Sequence, residues 1–432
     1  MGHGGFCCKQ AVTTRRRHMK TDHLPRICDL SVNGKRVLVR VDFNAPVKDG
    51  VVLDDSRLRA GLPTIMELIR KKARVICISH LGRPKGQVVE SLSLAPVAAR
   101  LAELLSETLD DPDFELKFAD DVIGDGPRRL IRDMEPGELI LLENLRFHPG
   151  EKSNDPDFAI ALADNIDIYV NDAFGTAHRA HASTVGVLSL VDTVAIGLLM
   201  EQELQVLDRI RHDPDRPYIA VLGGAKVSDK IEVIQTLMSE VQGLVIGGAM
   251  ANTFLAASGY NVGRSLVEHD QTNIAKHIMD VAKRKNISLV LPVDVVCAHE
   301  MDADEAKTCD VSDVSKDMMI LDIGPKTVQK MAALLRSAET VFWNGPMGVF
   351  EKPLFAEGTN SIAKIIAGLK TFAVVGGGDS LAAVAQAGLS DQMSHCSTGG
   401  GASLKLLEGA DLVALTQLGF AADKITASRP ST

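Results

Sequence analysis

With 432 residues the chain exceeds what one hydrophobic core organises, so two domains with a cleft between them are expected. A formal net charge of −9 speaks against the basic stripe of a nucleic-acid binder, so any anion must be held by locally clustered cations. The cysteines form no CxxC pair and no regular framework, which argues against disulfides and zinc, and no apolar run approaches the ~18 residues that would span a bilayer.

The first 21 residues contain no Asp or Glu and read as a disordered extension or appended tag, with a targeting peptide as the weaker alternative. From Gly34 onward one unit repeats: a short β-branched run, a loop rich in Gly, Asn or charge, then a helical stretch. That alternation predicts parallel sheets covered by helices. Strands are expected at Val37–Val41, Val75–Ser79, Leu139–Leu142 and Ile168–Val170. Apolar residues at helical spacing over Gly197–Ile210, ended by Asp213-Pro-Asp-Arg-Pro217, predict a helix joining two halves. Further strands are expected at Tyr218–Leu222, Leu244–Ile246, Ser288–Leu291, Thr340–Trp343 and Phe372–Val375, then an extended piece at His395–Ser397 and a closing helix. The fold class is therefore α/β: two Rossmann-like domains, each a parallel sheet with helices on both faces, joined by an interdomain helix. The boundaries are 22–195, 196–213 for the helix, 214–404, and a closing segment 405–432.

Open parallel sheets bind ligands at the carboxyl ends of their strands. In the first half those ends carry Asp42 and Asn44, then His80 and Arg83, then Asn144 and Arg146, then Asp172, His178, Arg179 and His181. One such residue is an ordinary loop residue; four successive units bearing them predict a site for a phosphorylated or carboxylated metabolite, because guanidinium forks match those groups. In the second half the equivalent loops are glycine-rich: Gly223-Gly-Ala-Lys226, Gly247-Gly248, Gly376-Gly-Gly-Asp-Ser380 and Thr398-Gly-Gly-Gly-Ala-Ser403. Glycine lets backbone amides approach a phosphate closely. Lys226 and Lys230, four apart at a predicted helix start, are expected to share a face. Asp379 either caps the following helix or binds magnesium. No GxxxxGK[ST] loop, no HRD or DFG set and no GxGxxG at a strand–helix junction is present, which argues against P-loop enzymes, protein kinases and dinucleotide-dependent dehydrogenases.

The segments Arg40-Val-Asp-Phe-Asn-Ala-Pro46, Ser79-His-Leu-Gly-Arg-Pro84, Leu141-Leu-Glu-Asn-Leu-Arg-Phe147, Asn171-Asp-Ala-Phe-Gly-Thr-Ala-His-Arg-Ala-His181, Leu222-Gly-Gly-Ala-Lys-Val-Ser-Asp-Lys230 and Val341-Phe-Trp-Asn-Gly-Pro-Met-Gly-Val-Phe-Glu351 stand in one order along the chain. Together with Gly376–Ser380 and Ser397–Ser403 they resemble the phosphoglycerate kinase family. The resemblance implies reversible phosphoryl transfer between 1,3-bisphosphoglycerate and Mg2+-ADP, giving 3-phosphoglycerate and Mg2+-ATP, in a cytoplasmic monomer. It implies 3-phosphoglycerate binding by Asp42, Asn44, Arg57, His80, Arg83, Arg146 and Arg179. It implies nucleotide binding by Gly223, Lys226, Lys230, Gly248, Asn344, Pro346, Val349, Glu351, Gly377, Gly378, Asp379 and Ser380, with Asp379 the magnesium ligand. Arg57, Lys226, Gly378 and Gly401 then correspond to the catalytic positions, and the 405–432 segment returns towards the first domain, although its ending departs from the family pattern. Arg59, close by, is easily mistaken for Arg57. Two alternatives stay open: a non-catalytic nucleotide or anion sensor of the same fold, and an acyl-phosphate kinase with another acceptor such as acetate.

Overall fold

The computed structural model describes residues 24–428, so the predicted extension over 1–21, with Cys7 and Cys8, lies outside the described residues. The first half contributes β1 (Arg36–Arg40), β2 (Val47–Lys48), β3 (Val51–Val52), β4 (Arg74–Ile78), β5 (Leu116–Phe118), β6 (Leu139–Leu141), β7 (Ile168–Asn171) and β8 (Val194–Ile196). The second contributes β9 (Tyr218–Leu222), β10 (Gly243–Ile246), β11 (Ser288–Val290), β12 (Asp294–Ala298), β13 (Lys307–Asp310), β14 (Met319–Ile323), β15 (Thr340–Asn344), β16 (Phe372–Gly376) and β17 (His395–Cys396).

Six parallel strands form each main sheet, in the order β5-β6-β4-β1-β7-β8 in the first and β11-β10-β9-β15-β16-β17 in the second. Every residue of β7, β9 and β15 is buried, as expected of strands covered on both faces: β9 is an unbroken apolar run, and β7 and β15 are apolar except for Asn171, Thr340 and Asn344 at their ends. The edge strands β5 and β8, three residues each, were not expected. A further departure lies between β11 and β15, where β13-β12-β14 form a small antiparallel sheet in place of a plain strand–helix unit. Its strand β13, Lys-Thr-Cys-Asp, is mostly exposed and carries none of the apolar alternation by which strands are read.

The joining helix runs from Leu198 to His212 and buries Leu199, Met200, Leu204, Leu207 and Ile210, the stripe that its spacing predicts. The same face buries the Glu203 carboxylate, which accepts from Ser397 Oγ at 2.7 Å and Thr398 N at 2.6 Å and meets His395 Nε2 at 2.9 Å. The helix is thereby tied to the end of the second sheet. The closing helix, Val413–Ser428, lies against β8 of the first sheet, and Ala414 N donates to Ala177 O at 3.0 Å. No helix among the described residues is long and apolar enough to cross a membrane.

Candidate active site

In the first sheet β1 lies between β4 and β7, so the residues that follow these three strands share one edge. Arg57 reaches that edge from the first turn of the Ser56–Arg70 helix, which buries Leu58, Leu62, Ile65 and Leu68 behind it. Its Nη1 donates to Asp42 Oδ2 at 2.5 Å. Arg59 turns away and bonds Asp55 at 2.9 Å, a carboxylate that Arg100 also holds at 2.8 Å. The two arginines are therefore separated by their partners. Asn44 takes a local role, its Oδ1 accepting from Gly82 N at 2.9 Å and so joining the loops after β1 and β4.

Arg83, Lys85, Arg146, Lys152, Arg179 and His181 line one cleft at this edge. Burial pushes the Arg146 guanidinium down to about 10, and Arg179 and Arg40 add to the effect. Arg179 is lowered as well, by burial and by Arg40, Arg83 and Arg57 against the opposing Asp42. Burial alone would raise the Asp42 carboxyl, but the Arg57 and Arg40 guanidinium groups outweigh it and hold the group below its ordinary range. So many cations around one cleft repel one another until an anion with several oxygens completes the set.

The second sheet reverses its strand order between β9 and β15, and the glycine loops gather at that switch point. Gly224, Gly248, Pro346, Val349, Glu351 and Asp379 line a mostly apolar cleft there. Gly248, at φ +65°, is packed so tightly on the Gly224 and Pro346 backbones that a side chain has no room. The loop is braced from behind. Lys230 is buried and donates to Gly223 O at 2.6 Å, Asn344 O at 2.7 Å and Asn344 Oδ1 at 2.6 Å. Burial lowers its ammonium to about 8, against the opposing pull of Asp379 and Asp229. Ser380 Oγ accepts from Gly345 N at 2.5 Å, joining the two glycine loops.

Two expectations are not met at this edge. Lys226 and Lys230 do not share a helix face, because Ser228–Lys230 forms a 3-10 turn and the α-helix starts only at Ile231. Lys226 is exposed and makes no hydrogen bond or ion pair among the described residues, whereas Lys230 points inward. The capping alternative for Asp379 is not realised either. Gly377 holds the N-cap position of the Gly378–Gln386 helix, no side chain caps it, and Asp379 stands exposed in the first turn.

Gly401 opens the short Gly401–Leu407 helix, and the turn before it abuts the guanidinium edge. Gly399 packs on Phe174, while Gly175 sits beside Asp42, Arg57 and the Thr398 carbonyl. Sequence reasoning gave no role to Arg40, Lys85, Glu151 or Lys152 in the first half, nor to Glu268 or Asp322 in the second. Arg40 did carry a signal, as the one charge inside the fully buried stretch Val37–Val41. Glu151 and Glu268 carried none, since each acts on a loop about thirty to forty positions away.

A family model described as phosphoglycerate kinase matches residues 27–410. The chain is 50% identical over 385 residues to the phosphoglycerate kinase of Pelotomaculum thermopropionicum, covering 89% of this chain and 96% of that protein. It is 51% identical over 391 residues to that of Rippkaea orientalis, covering 90% and 96%. Among solved structures, phosphoglycerate kinase from Coxiella burnetii superposes with a TM-score of 0.79 at 41% identity, over 92% of this chain and all of that one (100%). The enzyme from Pyrococcus horikoshii gives 0.79 at 34% identity, over 93% and 100%. On these likenesses, and with both ligand edges built as described, the chain belongs to the phosphoglycerate kinase family.

Proposed function

We propose that this kinase moves a phosphoryl group reversibly between 1,3-bisphosphoglycerate and Mg2+-ADP, giving 3-phosphoglycerate and Mg2+-ATP, with a carboxyl group as the acceptor. The observation that carries the reading is the joining of Asp42, Arg57, Arg83, Arg146 and Arg179 in one electrostatic neighbourhood at the first sheet's edge. On this reading 22–195 binds the three-carbon acid, 214–404 binds the nucleotide, 196–213 links them, and 405–432 returns to the first domain. The protein works as a cytoplasmic monomer without nucleic acid or membrane.

Each residue's part follows from its chemistry. Arg83, Arg146 and Arg179 hold the acid's phosphate, with Asn44 and His80 offering polar groups and Asp42 orienting Arg57. Gly248, Pro346, Val349 and Glu351 line the nucleotide cleft, Gly223, Asn344, Gly377 and Ser380 belong to the loops that frame it, and Lys230 sets the Gly223 and Asn344 carbonyls. Lys226 and Arg57, with the backbone at Gly378 and Gly401, steady the transferring group, because phosphoryl transfer needs alignment and charge stabilisation more than covalent help. The attacking oxygen is anionic in either direction, a nucleotide phosphate or a carboxylate whose ordinary pKa is about 4, so no general base is required. Approach of the two edges excludes water, which would otherwise take the phosphoryl group.

Asp379 fits a magnesium ion that arrives on the nucleotide. It is one exposed carboxylate in the cleft, and no cluster of three or more His, Cys, Asp or Glu side chains that would make an all-protein cage occurs among the described residues. When bound, the ion supplies charge neutralisation for the phosphate oxygens. The test is a coupled assay with Mg2+-ATP and either 3-phosphoglycerate or acetate. Turnover with 3-phosphoglycerate alone is the expected result; turnover with acetate, or nucleotide binding without turnover, replaces the reading with one of its rivals.

A further inference from the structure

Behind the guanidinium edge lies a chain of buried polar groups that the mechanism above leaves unused. Glu151 accepts from Ser183 N at 3.0 Å and from Ser183 Oγ at 2.7 Å. Ser183 Oγ in turn accepts from Arg40 Nε at 2.9 Å, and Arg40 Nη1 donates to the Val41 carbonyl. With two of its nitrogens fixed, the planar guanidinium has one orientation left. That orientation sets Arg40 Nη2 at 3.2 Å from His80 Nδ1.

We infer that Arg40 is a positioning residue that keeps His80 a neutral imidazole with its single ring proton on Nε2, so that the anion edge recognises its ligand through guanidinium charge plus a neutral N–H donor. A guanidinium has donors and no acceptor, so the ring nitrogen facing it must offer a lone pair. Nδ1 is therefore unprotonated and Nε2 holds the proton. Nε2 has no hydrogen-bond partner among the described residues, which leaves its N–H for an incoming acceptor. Asp42 Oδ1, 3.8 Å from Nδ1, finds no donor there and has no hydrogen bond, as the assignment requires.

The surroundings act in the same direction. Burial holds the His80 imidazole well below its ordinary range; Asp42 favours the charged ring, and Arg40, Arg146 and Arg179 oppose it. These groups come from β1, the loop after it, the turn after β6 and the loop after β7, so Asp42 is the one anion against three guanidinium groups, while Glu151 faces Arg40. The device occurs twice. Arg179 Nε donates to His178 Nε2 at 3.2 Å, which leaves that ring's proton on the buried Nδ1. Two imidazoles are thus locked uncharged by neighbouring arginines. The consequence for function, which rests on the proposed phosphoglycerate site, is that affinity at this edge does not follow protonation of His80 or His178; His181, in the same cleft with its Nδ1 3.5 Å from Glu151 Oε1, faces a carboxylate and lies outside the device.

The experiment is nitrogen-15 imidazole spectroscopy on the full labelled chain, with His80→Gln assigning the resonance. A pyridine-type Nδ1 and a pyrrole-type Nε2, unchanged from about pH 8 to about pH 5.5, a span over which an ordinary histidine protonates, is the expected result. A doubly protonated ring at about pH 6.5, or the proton on Nδ1, overturns the inference. This readout needs no substrate, so it stands whether or not the chain turns over 3-phosphoglycerate. In kinetics, KM for 3-phosphoglycerate, corrected for the substrate's own ionisation and followed in His181→Asn so that the remaining cleft histidine does not contribute, stays within about twofold over that range. Arg40→Met removes the donor that holds the lone pair on Nδ1 and leaves the Asp42 carboxylate as that nitrogen's polar neighbour, so the proton passes to Nδ1 and the spectrum shows a pyrrole-type Nδ1 and a pyridine-type Nε2. A merely structural arginine would leave the tautomer of His80 as it is in the unaltered protein, and that result also defeats the assignment. Should Arg40→Met fail to fold, the spectra of the unaltered protein decide alone.

Discussion

The two edges hold phosphate chemistry by opposite means. The first crowds guanidinium side chains around a cleft and organises them from behind with the buried carboxylates of Asp42 and Glu151. The second presents backbone and organises it from behind with a buried cation, Lys230, on three carbonyl oxygens. Charge at the front needs opposite charge at the back, whichever sign comes first. The lesson is that a residue's function depends on which layer it occupies: Lys226 and Lys230 lie four apart, yet one stands free at the front and the other supports from within.

The comparison breaks most visibly if front-layer residues are removed. Arg57→Ala and Lys226→Ala should each lower kcat by ~10²–10³, the usual loss for one preorganised charge-stabilising donor, while Arg83→Ala should mainly raise KM for 3-phosphoglycerate by about tenfold. Steady-state kinetics on the three variants separate the roles. Equal effects on KM alone would dissolve the distinction between transfer groups and ground-state ligands.

A second contrast concerns stability. Asp322, buried in β14, accepts from Ile323 N at 2.8 Å and Gly358 N at 2.7 Å but pairs with no cation among the described residues, and burial raises its carboxyl to about 7. The unfolded chain releases this proton near the ordinary value of 3.8, so between about pH 4 and 7 the folded state binds more protons and loses stability as pH rises. The whole effect is on the order of 4 kcal/mol. Relative to the unaltered protein, Asp322→Asn should therefore gain by that order from acid to neutral pH. Denaturant titrations followed by Trp343, the chain's one tryptophan and a β15 residue of this half, provide the reading. A pH-independent difference would show that Asp322 ionises freely. In the first half the corresponding carboxyl, Asp172, is raised by burial only to about 6, so its contribution is smaller.

The sequence carried the architecture and the front layer, and it stopped at the back layer for physical reasons. Strands such as Tyr218–Leu222 are legible because burial on both faces demands an unbroken apolar run. Arg57 is legible only through a motif, and only folding shows that Asp42 claims it while Asp55 claims Arg59. Glu203 reads as one more charge on a helix; that it anchors Ser397 and Thr398 depends on a contact nearly two hundred residues away. In the β13-β12-β14 sheet it is the edge strand β13 that escaped, because its mostly exposed side chains leave no apolar pattern and it is held by backbone bonds to β12.

The smallest expected effect tests whether the back layer of the glycine edge extends to the Lys226 loop. Glu268 Oε2 accepts from Val227 N at 2.5 Å and Ser228 N at 3.1 Å, its Oε1 accepts from Ser228 Oγ, and its own N–H donates to Thr253 Oγ1 at 3.2 Å. A carboxylate so placed caps the turn that follows Lys226 and fixes the direction in which that lysine leaves the loop. Glu268→Ala should lower kcat about fivefold, the kinetic equivalent of losing a cap of ~1 kcal/mol, and Glu268→Gln, which still accepts from the backbone, should recover most of it. KM for 3-phosphoglycerate should not move, because the bonds of Glu268 all lie within the second half. A rise in that KM would mean that the two edges are coupled through this loop and that their back layers are not independent.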